Sequence, residues 1–81
     1  MKKYYIEILR EIRRREQAEE LPPLMKELAQ TVLGKDTASS VNNALNALQR
    51  SGLIRREWNC ARSIQTTDKG REFLASQNNE R

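Results

Sequence analysis

The clearest separation of apolar and polar positions lies in the helical stretch at about 37–51. At about 100° per residue, its apolar side chains share one face and its small polar side chains share the other. The apolar set is Ala38, Val41, Leu45 and Leu48, and the polar set is Ser39, Asn43, Asn46 and Arg50, flanked by Ser40 and Asn42. An ordinary solvated face is filled with Glu and Lys, which are better helix formers than Ser and Asn. The pattern therefore predicts one face that packs and one that is free to contact a partner.

Two helices are predicted before this stretch. Apolar residues at spacings of three and four predict a first helix from Lys2 to Glu16. It ends before Pro22 and Pro23, because a proline cannot continue a helix. A second short helix is predicted from Pro23, which suits an early helical position, to Gly34.

The third helix is predicted to be capped by Asp36 or Thr37 and to end at Gly52, which tolerates the left-handed conformation of a C-cap. Two short stretches with β-forming residues follow at 53–58 and 63–67. They predict a hairpin joined by residues 59–62, although neither strand alternates cleanly.

A last helix is predicted from Thr67 or Asp68 through Ala75, with Phe73 and Leu74 on its buried side. The polar residues 77–81 are expected to fray. Three helices, a two-stranded wing and a C-terminal helix define a mainly α winged helix-turn-helix fold, with residues 1–76 as one domain.

Composition narrows the function further. The 81 residues include 15 Lys and Arg against 11 Asp and Glu, which gives a net charge of +4 and favours a polyanionic partner. Histidine is absent and Cys60 is the single cysteine, so hydrolytic and metal chemistry are disfavoured and no disulfide forms within the chain. The glycines stand too far apart for a phosphate loop, and no cofactor is expected. These absences predict a protein that is not an enzyme. With no apolar run that could cross a bilayer, the sequence also predicts a cytoplasmic protein.

The side chains that fit this picture are those that read bases or hold phosphates. Asn pairs with an adenine edge in the major groove, and Ser bonds to several bases. The predicted DNA contacts are Lys35, Thr37, Ser39, Ser40, Asn42, Asn43, Asn46, Arg50, Arg55, Arg56 and Arg62. Asn43 is the strongest candidate for base contact, and Arg62 is expected to be the most exposed cation of the wing. Arg50 also suits the negative end of a helix dipole. The cluster at 13–15 is interpreted as a solvated basic face outside the site.

Several short motifs also resemble a known family. They are Leu21-Pro22-Pro23, Glu27-Leu28-Ala29-Gln30, Gly34, Leu45-Asn46-Ala47-Leu48, Gly52-Leu53-Ile54 and Arg62-Ser63-Ile64. Between Tyr5 and Ile64, this pattern resembles the amino-terminal DNA-binding domain of LexA-type repressors. The end of the chain, from Thr67 to Leu74, resembles instead the helix that follows the wing in MarR-like regulators.

The LexA-like resemblance implies that the third helix lies in the major groove with Ser39, Ser40, Asn42 and Asn43 near bases. The chain departs from the family pattern by one additional residue before Gly34 and by its side chains on the recognition face. For these reasons the operator sequence does not carry over. The 81 residues also hold no self-cleaving domain with its Ser and Lys dyad, so autoproteolysis does not carry over either.

These observations predict a sequence-specific regulator that binds double-stranded DNA, with repression favoured over activation. The protein is expected to bind a palindromic site as a homodimer. Helix one or the final helix is the expected dimer contact. Two alternatives stay open at this point. One is a winged-helix adaptor or antagonist that binds another regulatory protein, and the other is a DNA-binding component of a replication or recombination complex.

Overall fold

The computed structural model describes residues 2–34, 38–57, 60 and 62–78, except for the side chains of Ala38 and Asn78. Helix α1 spans Lys3–Gln17 and buries Ile8, Leu9 and Ile12 completely. The chain then turns through Glu19, whose φ is +58°, before the two prolines. The predicted first helix is therefore confirmed to within one residue at each end.

Helix α2 covers Met25–Leu28 and continues into a π-helical turn over Ala29–Leu33, which closes at Gly34 with φ +67°. The sequence predicted the closing glycine but not the π turn. The predicted place of Pro23 inside the helix is wrong, because Pro23 is buried two residues before the first helical residue and Leu24 is the N-cap. The Leu24 amide donates to Glu27 Oε1 at 2.9 Å, which pairs an N–H group that the first turn leaves without a helical partner.

Helix α3 spans Ala38–Arg50. Two hydrogen bonds terminate it: the Leu53 amide donates to the Leu48 carbonyl at 2.9 Å and the Gly52 amide to the Gln49 carbonyl at 3.0 Å. Gly52 adopts φ +76° between them. This bonding pattern is a Schellman motif, so the predicted C-terminal glycine is confirmed with its mechanism.

The wing is an antiparallel pair of very short strands, β1 at Ile54–Arg55 and β2 at Gln65–Thr66. Ile54 lies opposite Thr66 and Arg55 lies opposite Gln65. Both strands are shorter than predicted. Around β1 the alternation that supports a half-buried strand fails, because Leu53 and Ile54 are both buried and three charged residues follow, Arg55, Arg56 and Glu57.

Helix α4 spans Asp68–Asn78 and is capped by Thr67, whose Oγ1 accepts from the Gly70 amide at 3.0 Å. The helix runs three residues beyond the predicted end at Ala75 and so includes residues 76–78. Leu74 is buried, whereas Phe73 is only half-buried against the core.

The core forms where α1, α2, α3, the wing and α4 meet. Its buried apolar residues are Ile8, Leu9, Ile12, Leu28, Ala29, Val41, Ala44, Leu45, Leu48, Leu53, Ile54, Ile64 and Leu74. A polar link lies at the edge of this core, at the end of α1, where the Glu16 carboxylate accepts from the Thr66 amide at 2.8 Å and from the Thr66 hydroxyl at 2.5 Å. The wing is thereby attached to α1 as well as to α3.

Candidate nucleic-acid interface

Helix α3 presents a polar outer face. Ser39, Asn42, Asn43 and Arg50 are exposed. The opposite side packs, with Val41, Ala44, Leu45 and Leu48 fully buried in the core. The two-faced character that the spacing predicts is therefore confirmed for the described side chains, and the outer face carries hydrogen-bonding groups of the kind that meet base edges.

Asn46 and Ser40 are less exposed than the rest of the predicted site. Both are half-buried. Asn46 owes its position to the wing, because Arg56 Nη2 donates to its Oδ1 atom at 2.7 Å. The base of the wing and the middle of α3 are thus joined by a side-chain hydrogen bond that involves a charged donor, which is about twice as strong as a neutral one.

Gln49 belongs to the same cluster, and the sequence analysis missed it. It is exposed, and its Oε1 atom accepts from Arg56 Nε at 3.0 Å. The signal was present in the spacing, since Gln49 follows Asn42 by two helical turns and Asn46 by three residues. Arg56, Asn46 and Gln49 form the unit that we call the amide clamp.

Arg55 lies on the exposed side of β1 and bonds across the hairpin. Its Nη2 and Nε atoms donate to Gln65 Oε1 at 3.0 and 3.3 Å. Because Gln65 is uncharged, this contact does not neutralise Arg55, and its positive charge stays at the surface of the wing. An exposed cation on the wing is suited to phosphate contact.

Arg62 is not the exposed wing cation that the sequence predicted. Its side chain is 37% exposed, and its Nη1 atom donates to the Pro22 carbonyl at 2.9 Å. The same guanidinium pairs with the Glu27 carboxylate at 3.1 Å. The physical reason is charge pairing, because Glu27 at the start of α2 faces the returning arm of the wing and neutralises Arg62 there. The Leu24 amide and Arg62 together lower the pKa of Glu27 below its ordinary value.

The basic cluster at the end of α1 is also paired. Arg14 Nη2 lies 2.7 Å from Glu11 and 3.3 Å from Glu20, and Arg13 lies 3.2 Å from Glu16. The hydrogen bond from Arg14 is the main cause of a lowered pKa at Glu11. The interpretation of 13–15 as a freely solvated face is therefore wrong for Arg15, whose side chain is only 16% exposed and lies 3.4 Å from Glu11. That the cluster lies outside the site stays a prediction.

Several predicted residues fall outside the described part of the chain. Lys35, Thr37 and the alternative cap Asp36 lie there, as do residues 58, 59 and 61 of the wing. Cys60 is described and exposed. Among residues 2–34, 38–57, 60 and 62–78, no group of three or more acidic, Cys or His side chains is placed to hold a metal ion.

No helix within the described residues is both long enough and apolar enough to cross a membrane.

Three helices, a short antiparallel wing and a polar outer face on the third helix define a DNA-binding protein of the winged helix-turn-helix class. The family model of the LexA DNA binding domain matches residues 4–63, so the chain belongs to that family. Membership gives the chain a DNA-binding role in transcription regulation, with double-stranded DNA as its partner. No curated protein sequence matches the chain. The match ends before β2 and α4, and the resemblance of the last helix to MarR-like regulators stays a prediction.

Proposed function

We propose that this chain is a sequence-specific repressor that reads the major groove with α3 and holds the adjacent phosphate backbone with its wing. The observation that carries the proposal is the exposed row on α3, where Ser39, Asn42 and Asn43 offer hydrogen-bonding groups and no acidic side chain repels phosphate. In this proposal the α3 side chains supply sequence preference and Arg50 and Arg55 supply backbone contacts, since phosphate contacts position a protein and base contacts specify its site.

The proposal includes a homodimer on a palindromic operator. A single winged helix of this size makes few base contacts, and two copies on two half-sites double them. Repression then follows from occupying a promoter. A palindromic recovered motif, together with a bound complex of twice the mass of one chain, is the expected result, and a single half-site bound by one copy contradicts the dimer.

The experiment that tests sequence-specific binding is selection from a randomised duplex pool with the wild-type chain and with Asn43→Ala. We expect the wild-type chain to enrich a motif and Asn43→Ala to lose preference at one or two positions, with a loss of about 1–3 kcal/mol for the preferred duplex. Ser76→Ala is the matched control, because Ser76 is an exposed polar residue on α4, away from the proposed groove contact. Its motif should equal that of the wild type.

Salt dependence separates this function from the protein-binding alternative. Binding that neutralises phosphates weakens steeply with salt, because counterions are released from DNA when the complex forms. A recovered motif that is the same in the wild type and Asn43→Ala contradicts the recognition mode. Absence of any motif, with DNA affinity that does not change with salt, contradicts the DNA-binding proposal itself and favours the adaptor.

A further inference from the structure

The amide clamp fixes the orientation of two α3 side chains. Arg56 donates to the oxygen atoms of Asn46 and Gln49, at 2.7 and 3.0 Å. A guanidinium carries five N–H donors and no acceptor, so the amide atom that faces it has to be the oxygen. An exposed amide such as that of Asn43 can rotate and present either atom, whereas the amides of Asn46 and Gln49 cannot turn over without losing a bond to a charged donor.

The orientation of these amides decides what they offer to a base. With the oxygen of Asn46 held by Arg56, the nitrogen is the atom left to bond elsewhere, and it carries two N–H donors. A second donor that approached the oxygen would lie beside the positive charge of the guanidinium, which disfavours it electrostatically. The clamp therefore presents donors and positive charge together.

This property distinguishes guanine from adenine. Adenine pairs with an amide only when the amide oxygen accepts from N6 while the nitrogen donates to N7. Guanine exposes two acceptors in the major groove, N7 and O6, and needs only donors. A clamp that offers donors matches guanine and leaves adenine N6 without a suitable acceptor.

We propose that Arg56 is a positioning residue that turns Asn46, with Gln49 beside it, into a donor that selects guanine. The inference rests on the proposed function, since it requires α3 to lie in the major groove. It replaces the sequence-based expectation that Asn46 reads adenine.

The test is an exchange of donor for acceptor at Asn46. In Asn46→Asp the side chain keeps its shape, and one carboxylate oxygen retains the bond to Arg56. The other oxygen then points where the NH2 group was and accepts from cytosine N4, the usual partner of an acidic side chain in the major groove. We expect selection from a randomised duplex pool to replace guanine by cytosine on the same strand at one position, with a preference of about tenfold, or about 1.4 kcal/mol.

Two further variants make the result specific. Asn43→Asp introduces the same charge on the same helix face without the bond to Arg56. Because Asn43 is itself a proposed base contact, this variant should change the motif at the position that Asn43 contacts and keep the guanine preference at the position that Asn46 contacts. Arg56→Met keeps the aliphatic stem and removes the donors, so the Asn46 amide is free to rotate. We expect its guanine preference over adenine at that position to fall about tenfold. If Arg56 only supports the fold, affinity in Arg56→Met falls equally for every sequence and the preference is unchanged, which overturns the inference.

The outcomes separate this inference from the proposed function. A wild-type chain that enriches no motif overturns both. An enriched motif that Asn46→Asp leaves unchanged, or that has adenine where Asn46→Asp acts, overturns the inference alone. NMR spectra of the free chain test the clamp without DNA, because Arg56→Met should shift the side-chain amide signals of Asn46 and not those of Asn43. Unshifted Asn46 signals overturn the inference as well.

Discussion

Replacing Gly70 by alanine has two opposite effects on stability: alanine is the better helix former, but its Cβ atom has no room in the packing of α4. Gly70 is buried in the first turn of α4. A Cβ atom at this position would lie 2.0 Å from the Leu53 carbonyl oxygen and 3.0 Å from its carbon. That carbonyl accepts from the Thr67 amide at 3.1 Å, so it cannot move aside without weakening a bond at the start of the helix. The glycine is therefore required by the close approach of α4 to the backbone ahead of β1.

The expected loss of stability follows from two terms. Alanine in a helix is favoured over glycine by about 1 kcal/mol. Overpacking costs about 1–3 kcal/mol, and the clash here is with backbone, which cannot rotate away, so the cost lies near the upper value. The net loss is about 2 kcal/mol, which lowers the melting temperature of a domain of this size by about 8–16 °C.

Thermal and urea unfolding followed by far-UV circular dichroism measures this loss. Gly34→Ala is the matched control, because Gly34 has φ +67° and a Cβ there would meet nothing within 4 Å. Its expected loss is about 1 kcal/mol, from backbone conformation alone. A Gly70→Ala chain that is as stable as the wild type, or more stable, would refute the packing argument and leave helix propensity as the controlling term.

Two further predictions concern carboxylates. Glu16→Ala leaves the buried amide of Thr66 without its partner. Urea titrations should show a free energy of unfolding lower by about 1–3 kcal/mol, with a smaller loss in Glu16→Gln. Equal stability of Glu16→Ala and the wild type contradicts this role of Glu16. Because the pKa of Glu27 is lowered by the Leu24 amide and Arg62, its contribution to stability is present above the ordinary pKa of 4.5 and is lost as the pH falls below 4.5 through the lowered value. Melting temperatures on both sides of pH 4.5 should show this loss in the wild type and a smaller one in Glu27→Gln, and identical pH profiles for the two chains argue against it.

The two-faced character of α3 was predictable because it depends only on local spacing. Val41, Leu45 and Leu48 recur with the helical period, and a stretch with such a period packs its apolar side. The left-handed glycines at the ends of α2 and α3 were predictable for a similar reason, since few other residues adopt that conformation.

The environment of the wing arginines was not predictable from the sequence, because their partners are distant along the chain. Arg62 meets Glu27, which is 35 residues away, and Arg56 meets Asn46, which is 10 residues away. Charge patterns along the sequence identify which residues are cationic but not which carboxylate or amide each one reaches after folding. Arg62 was therefore expected to be exposed, and the role of Gln49 was missed.

The π turn over Ala29–Leu33 has a consequence for how a chain of this family tolerates a change in length. In a regular α-helix, one added residue would rotate everything after it by about 100°. In a π turn the backbone hydrogen bond joins residues five apart, one more than in an α-helix. A single π turn can therefore hold one added residue without shifting the turns on either side of it. An insertion there can be absorbed locally, so that Gly34 still ends the helix and the direction in which the chain enters α3 need not change.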